Sequence, residues 1–217
     1  MPHYELRKIM DKLYKSTLLF FLFLLLAFSS RAQLNKDSLL QTIDVFQNDL
    51  NNEYSDSLHS PLTCEERLSF RSHNFYPVNL NFSVKAVLKR TPAEKIFEMK
   101  TTTERKPKYV KYGEITFKIK KKKYKLNVYQ SMDLLNKPEY KDYLFLPFKD
   151  LTSGNETYGG GRFIDLDIPS GNTLIIDFNK AFNPYCAYNH TYSCPVPPPE
   201  NFLKIKIEAG VKAPKTD

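Results

Sequence analysis

Apolar and polar residues alternate along most of the chain between Leu68 and Phe178. In residues 78–89, VNLNFSVKAVLK, an apolar side chain stands at every second position. Short runs of this kind at roughly ten-residue spacing, with turn residues between them, are typical of an antiparallel sheet. The further runs are residues 96–101, 109–112, 114–120, 124–129, 144–148, 163–168 and 173–178. No alternating helical pattern supplies the crossovers that parallel strands need. We therefore expect a mostly β fold, an antiparallel barrel or sandwich.

Residues 1–32 predict a secretory signal peptide. Four basic residues precede an apolar run, residues 18–28, and small residues flank Arg31 at the −3 and −1 positions of a cleavage site. The run has 11 residues, whereas a spanning helix needs about 20. An uncleaved N-terminal anchor is the alternative. We expect an exported protein, periplasmic or extracellular, that starts near Gln33 and has no stable membrane span once the signal is removed.

The chain without its signal is mildly basic. Removing the five basic and two acidic residues of 1–32 leaves 27 basic and 22 acidic residues, a net charge of +5. This excess does not by itself indicate nucleic acid, which an exported protein rarely meets. Contact with anionic envelope polymers or lipid headgroups fits the charge. The sequence does not determine the oligomeric state.

Residues 33–60 predict one amphipathic helix in front of a β domain, residues 61–217. Ser60 and Pro61 end this helix, because a residue that precedes proline is disfavoured in the helical conformation. The apolar positions recur at spacings near three and four. They are Leu39, Leu40, Ile43, Val45, Phe46 and Leu50.

Six lysines crowd into residues 118–125, KIKKKKYK. Read with a period of two, these lysines fall on the solvent face and at a hairpin turn, while Ile115, Phe117 and Ile119 face inward. Outward lysines also discourage edge-to-edge pairing of sheets. We favour this structural interpretation, and a patch that binds a polyanion is the alternative.

Residues 177–201, DFNKAFNPYCAYNHTYSCPVPPPEN, predict a rigid loop. The segment contains two cysteines, five prolines and no glycine, and it joins two apolar runs. Upstream, we expect residues 163–168 and 173–178 to pair as a hairpin. That hairpin would bring a glycine-rich turn, residues 154–161, and the start of the loop to one rim of the sheet.

We expect the polar side chains of this rim to form the binding site. The candidates are Glu156, Tyr158, Arg162, Asp177, Asn179, Asn183, Tyr185 and Asn201. In the alternative interpretation, Arg162 bridges Asp177 or Glu156 only to hold two loops together.

Residues 144–166, LFLPFKDLTSGNETYGGGRFIDL, together with residues 177–201 resemble the bacterial family defined by domain of unknown function 1684. The resemblance extends over about residues 55–212 and rests on long, ordered motifs of unusual composition. The chain departs from the family pattern at Ala209-Gly210-Val211, where an acidic residue usually follows the glycine. The resemblance implies no established activity.

Cys186 and Cys194 predict a disulfide, which is the default for cysteines of an exported protein. Closing a loop of about nine residues would stabilise the fold by roughly 2–3 kcal/mol. The alternatives are a metal site formed by both cysteines and His190, or two free thiols. We predict no metal and no other cofactor, and we expect Cys64 to be a small buried side chain.

No catalytic motif stands out in the sequence. A nucleophile elbow, a zinc-protease helix and a phosphate-binding loop are all missing. We therefore expect a ligand-binding or structural β module of the cell envelope, with a ligand or envelope component that the sequence does not identify. The alternative is a hydrolase in which a rim carboxylate, Glu156, Asp165 or Asp177, performs acid–base chemistry.

Overall fold

The computed structural model describes Tyr14 and residues 36–214. The predicted signal peptide, apart from Tyr14, and its cleavage site lie outside the described residues. The chain divides into two units, residues 1–45 and 46–217. Residues 36–55 are helical (α1), so that this helix contributes to both units. No helix among the described residues is long and apolar enough to cross a membrane.

The second unit is built on a curled antiparallel sheet, a half-barrel. The strands follow one another in the order β6-β5-β4-β3-β1-β7, with β2 added to β3 and a short parallel strand, β8, added to β5. Their bounds are β1 Ser83–Arg90, β2 Phe97–Glu98, β3 Lys108–Ile119, β4 Lys122–Ser131, β5 Tyr143–Asp150, β6 Arg162–Asp167, β7 Thr173–Asp177 and β8 Phe202–Leu203. The predicted fold class, mostly β and antiparallel, is confirmed.

The alternation of the strands places the main core on one face of the sheet. On β3, Ile115 and Phe117 are buried, and they lie opposite Leu126 and Tyr124 of β4. The period of two shifts at Gly113, where β3 carries a bulge. A Cβ atom at this position would lie 2.6 Å from the carbonyl oxygen of Lys89 on β1, so the close approach of β1 requires glycine.

The lysine run forms the hairpin turn that the sequence predicts. β3 ends at Ile119 and β4 begins at Lys122, so Lys120 and Lys121 make a two-residue connection. Both residues have positive φ, 47° and 67°, as a type I′ turn requires. Lys118 and Lys123 lie directly opposite each other and are exposed.

The sheet does not begin near Leu68, as the alternation predicts. Residues 64–69 form a short helix, α2 (Cys64–Ser69), in which Thr63 and Glu66 make a capping box. This capping signal overrides the alternation read from Leu68 onward. The prediction for Cys64 is also wrong, because this thiol is exposed on the first residue of the helix.

The predicted hairpin of β6 and β7 does not form. β6 pairs with β5 and β7 pairs with β1, so the two strands are the opposite edges of the half-barrel. The short link of residues 168–172 joins these edges without a ladder between them. Periodicity marks a strand but does not select its neighbour, and here the curl of the sheet decides the pairing.

The segment after β7 returns to the free edge of β6. Phe163 and Phe182 exchange two backbone hydrogen bonds of 2.9 and 3.0 Å. Phe182 therefore pairs with the start of β6 and ties the beginning of the predicted rigid loop to the sheet.

Candidate functional site

Asn201 fills a gap between β4 and β5. These strands share one residue pair, Tyr129 with Phe145, and elsewhere the Asn201 amide replaces the missing ladder. Its Oδ1 accepts from the Asn127 N–H at 2.8 Å, while its Nδ2 donates to the carbonyls of Asn127 at 2.9 Å and Pro147 at 2.6 Å. The side chain is fully buried, and it serves the backbone.

Asn179 makes a second clamp of the same kind. Its Oδ1 accepts from the Asn79 N–H at 2.9 Å, and its Nδ2 donates to the Asn79 carbonyl at 3.1 Å. The Asp177 carboxylate accepts from both the Asn179 side chain, at 2.8 Å, and the Asn179 N–H, at 3.0 Å. Asn179 and Asp177 thus contact each other, and both are buried. Together they fix the approach to β1.

Arg162 is the largest fully buried side chain among the described residues. Its Nη2 donates to Asp150 Oδ2 at 2.7 Å and to the Ile207 carbonyl at 2.9 Å. Its Nη1 donates to the carbonyls of Ala209 and Val211. Burial lowers the pKa of Arg162, and the Asp150 carboxylate opposes this effect. The guanidinium therefore ties the C-terminal segment to the sheet.

The bridge from Arg162 to Asp177 or Glu156 in the alternative interpretation does not form. Neither Asp177 nor Glu156 forms an ion pair with it, because Asp150 at the end of β5 lies beside it on the neighbouring strand. Asp150 also holds Thr152, through the Thr152 N–H at 2.6 Å and hydroxyl at 2.5 Å. The glycine-rich turn is consequently organised from β5.

Glu156 is a candidate carboxylate that is partly exposed at the surface. It accepts from the Tyr76 hydroxyl at 2.9 Å and from Lys206 Nζ at 2.7 Å. Those hydrogen bonds, the one from Lys206 first, lower the pKa of Glu156. Lys212 Nζ lies 4.6 Å from the centroid of the Tyr76 ring, so a second cation stands beside this group.

The other three candidates lie in the loop and its neighbours. Tyr185 donates to the Glu53 carboxylate of α1. Asn183 is buried and donates to the Lys212 carbonyl at 2.8 Å and to the Tyr188 hydroxyl at 3.1 Å. The hydroxyl of the third, Tyr158, lies 3.8 Å from Cys186 Sγ. The eight candidate residues therefore take part in several separate polar contacts and do not line one common surface.

Cys186 and Cys194 are neighbours but form no disulfide in this structure. The Cys186 N–H donates to Cys194 Sγ at 3.2 Å. A hydrogen bond from the Cys194 thiol, with a further one from the Tyr158 hydroxyl, lowers the pKa of Cys186 to about 6. The alternative metal site is not assembled, since no three potential ligands among His, Cys, Asp and Glu converge within the described residues.

A cleft of about 610 Å³ opens beside the loop. Three segments far apart in the sequence form its walls: α2 with the residues that follow it, the middle of the loop, and the C-terminal end. Its lining residues include Phe70, Arg71, His73, Tyr188, Lys212 and Pro214. This is a concave surface lined by apolar and polar groups, the usual character of a small-molecule site.

His73 lies at the centre of the aromatic wall. Its ring stacks on Tyr188, with centroids 5.4 Å apart and an interplanar angle of 18°, and it meets the rings of Tyr54 and Phe70 edge-on. Burial lowers the pKa of His73 to about 4, so the imidazole is neutral at pH 7. Its buried Nδ1 has no hydrogen-bond partner among the described residues.

Two cations and one acid line the cleft. Arg71 Nη1 donates to the carbonyls of Leu68 and Phe70 at 3.0 Å each, which orients the guanidinium at the end of α2. Lys212 lines the cleft from the C-terminal segment. The acid, Glu66, accepts from the N–H and hydroxyl of Thr63 at 2.9 and 2.7 Å. Those hydrogen bonds lower the pKa of Glu66, so the carboxylate stays charged. The lining therefore carries two positive charges and one negative charge, a net charge of +1.

The model of the family described as "Protein of unknown function (DUF1684)" matches residues 68–212. This chain belongs to the DUF1684 family. The match spans the sheet, the loop and most of the cleft.

A solved relative supports the same architecture. The solution structure of an uncharacterised protein from Haloarcula marismortui is 25% identical in sequence, with a TM-score of 0.65. The similarity covers 82% of this chain and 96% of that protein. No curated protein matches the chain.

Sequence reasoning missed the cleft of this DUF1684 protein. None of its residues Arg71, His73, Tyr188 and Lys212 is among the predicted site residues. The available signal is the density of aromatic rings around His73, since Phe70, Phe75 and Tyr76 lie within seven residues. These aromatic residues follow no regular spacing, so the sequence pattern does not distinguish the wall of a cleft from an ordinary strand.

Proposed function

We propose that this DUF1684 protein is an exported ligand-binding module that holds a small organic anion in the cleft. The ligand carries an anionic group, such as a carboxylate, on an apolar or aromatic body. The observation that carries the proposal is the pairing of an aromatic wall around His73 with the cations Arg71 and Lys212. Aromatic rings contribute apolar contact area, while the cations select the sign of the charge.

The unpaired Nδ1 atom of His73 adds support. A buried polar atom without a partner costs about 1–3 kcal/mol, and native structures rarely tolerate that cost without a reason. A polar group of the ligand, or a water that it traps, would satisfy this atom. A ligand-free cleft would then be less stable than a filled one, as a binding module requires.

The hydrolase alternative has weaker support. Glu156 is held by Lys206 and Tyr76, and its lowered pKa makes it a poor proton acceptor and a poorer general acid at pH 7. Asp177 is occupied by Asn179. Binding without chemistry therefore fits these two carboxylates better. The third candidate, Asp165, accepts from the Tyr143 hydroxyl at 2.6 Å, and desolvation raises its pKa.

Export and the Cys186–Cys194 disulfide belong to the same proposal. The charged and apolar pattern of residues 1–32 supports export, and the contact of the two cysteines supports a bond between them in an oxidising compartment. N-terminal sequencing of the secreted form should begin near Gln33. A form that keeps residues 1–32 in the membrane fraction would contradict export.

The binding test uses three probes of one shape and different charge: 2-naphthoate, 2-naphthalenemethanol and 2-naphthylmethylammonium. Calorimetry should give the tightest binding for the anion and the weakest for the cation. The double variant Arg71→Gln/Lys212→Gln should bind the anion about tenfold more weakly, since each exposed charge contributes up to about 1 kcal/mol. Its affinity for the neutral probe should stay unchanged. Equal affinity of the three probes would contradict the proposal.

A matched control removes two charges elsewhere. Lys118→Gln with Lys123→Gln takes the same charge from the hairpin and should leave naphthoate binding unchanged. Native mass spectrometry of protein purified from its own host should then reveal a bound anion, and its loss in the Arg71/Lys212 variant would identify the cleft as its site.

A further inference from the structure

Eight exposed lysines cover the outer face and tip of the sheet around the β3–β4 hairpin. We call this surface the lysine face. Two lysines belong to β1 and six to the hairpin. They are Lys85, Lys89, Lys118, Lys120, Lys121, Lys122, Lys123 and Lys125.

Little negative charge balances the lysine face. Lys125 pairs with Glu114 at 2.8 Å, and the other seven lysines have no ion pair among residues 36–214. Lys118 lies directly opposite Lys123 across the ladder. Like charges in directly opposed positions repel each other, so the surface needs an anionic partner to neutralise it.

The turn also carries lysine at the expense of local stability. Lys120 and Lys121 occupy the two positive-φ positions of the turn, where asparagine and glycine are strongly preferred. Lysine gains no local hydrogen bond in that conformation, in contrast to asparagine. A hairpin that served the fold alone would not concentrate charge at these two positions.

Two exposed aliphatic side chains lie among the lysines. Val87 is 49% exposed and Ile175 is 53% exposed. Ile175 is the cross-strand neighbour of Lys85, and Val87 is that of Thr173. Nucleic acid and anionic polysaccharide present few groups that contact aliphatic side chains favourably. The headgroup region of a bilayer accepts both aliphatic side chains and lysine, whose ammonium reaches back toward the phosphates.

We propose that the lysine face docks this protein on the surface of an anionic lipid bilayer. The lysines contact phosphate headgroups, and Val87 and Ile175 enter the headgroup region beside them. This contact holds the protein at the surface, and the cleft with His73 belongs to a different part of the chain. The proposal is therefore independent of the ligand in that cleft.

The test compares sedimentation with vesicles of phosphatidylcholine alone and with phosphatidylglycerol added. The key variant is Lys120→Asn with Lys121→Gly, because Asn-Gly fits the turn better and should keep or raise the melting temperature. Affinity for the anionic vesicles should fall about 30-fold, since each lysine near such a surface is worth about fivefold. Every form is the secreted protein that starts near Gln33, so the difference between forms reports on the hairpin.

The matched control is Lys137→Asn with Lys141→Asn, which removes the same charge at the opposite end of β4. This variant should bind anionic vesicles like the parent. Equal loss in both variants would overturn the proposal, because it would reflect net charge alone. Unchanged binding by the Lys120/Lys121 variant would overturn it as well.

The absence of tryptophan in the sequence allows a second readout. Val87→Trp should show a blue-shifted emission with phosphatidylglycerol vesicles, whereas Tyr140→Trp, in the connection after β4, should not. Emission that stays unshifted at Val87→Trp would overturn the docked orientation. Binding to heparin but not to the vesicles would overturn the lipid partner in favour of a polyanion.

Discussion

Arg162 Nη2 lies 2.7 Å from Asp150 Oδ2, and neither side chain is more than 1% exposed. The same guanidinium contacts three carbonyls of the C-terminal segment, while the same carboxylate organises the glycine-rich turn. One ion pair therefore joins the end of β5, the start of β6 and residues 207–211. The C-terminal wall of the cleft, Lys212 to Pro214, follows directly from this anchor.

Replacing Asp150 with asparagine should destabilise the protein by about 3–5 kcal/mol, because it leaves a buried guanidinium without a counter-charge. The melting temperature should fall by about 10 °C for a chain of this size. Glu98→Gln is the control, since Glu98 pairs with Lys106 at 3.7 Å on the exposed surface. A melting temperature for Asp150→Asn equal to that of the control would contradict the anchoring role.

The side-chain clamp between β4 and β5 can be tested at Asn201. Asn201→Asp keeps the shape but replaces the donor to the Asn127 and Pro147 carbonyls with an acceptor. Burying that unpaired charge among carbonyls should cost about 3 kcal/mol or more in the free energy of unfolding. Urea denaturation measures it, and Asn155→Asp on the exposed turn should change little. A small effect at Asn201 would mean that the strands hold together without it.

Acid should weaken the fold through His73. The folded protein holds its pKa near 4, below the value of about 6.5 expected when unfolded. The unfolded state therefore binds more protons between these pH values, and stability falls as the pH drops from about 6.5 to about 4. The loss should reach about 3 kcal/mol.

His73→Phe keeps an aromatic ring and removes the titration. Stability measured by urea denaturation across pH 4 to 7 should then lose a much smaller amount on acidification. Parallel pH curves for the parent and the variant would show that His73 is not the group responsible.

We expect the oxidation of Cys186 and Cys194 to a disulfide to depend on pH. Disulfide exchange proceeds through the thiolate, and the pKa of Cys186 is about 6. In a Cys64→Ser background, the rate at which Cys186 reacts with oxidised glutathione, the first step of bridge formation, should rise through pH 6 and level near pH 7. A mass decrease of about 2 Da and an intact bridged peptide identify the product. A rate that keeps rising to pH 8.5 would indicate an ordinary thiol.

The oxidised form should melt about 5–10 °C above the reduced form, as closing a loop of this length stabilises by roughly 2–3 kcal/mol. The Cys186→Ser/Cys194→Ser variant is the control and should not respond to oxidant. Equal melting of the oxidised and reduced forms would show that the loop is held by its other contacts.

Local patterns determined the strands and the lysine-rich turn. The alternation around Ile115 and Leu126 decides which face of β3 and β4 is buried, because successive side chains of a strand point to opposite faces. The same alternation predicts the turn at Lys120 and Lys121, because a turn must lie where the period of two is interrupted. These features depend on neighbours in the sequence, so the sequence alone predicts them.

The tertiary structure decided everything that depends on distant neighbours. The curl of the sheet separates β6 from β7, gives Arg162 the partner Asp150, and buries Asn201 between strands that separate. The cleft combines His73, Tyr188 and Lys212, which are more than 100 residues apart at the extremes. Periodicity reports whether a side chain is buried but not what lies beside it, and chemistry depends on what lies beside it.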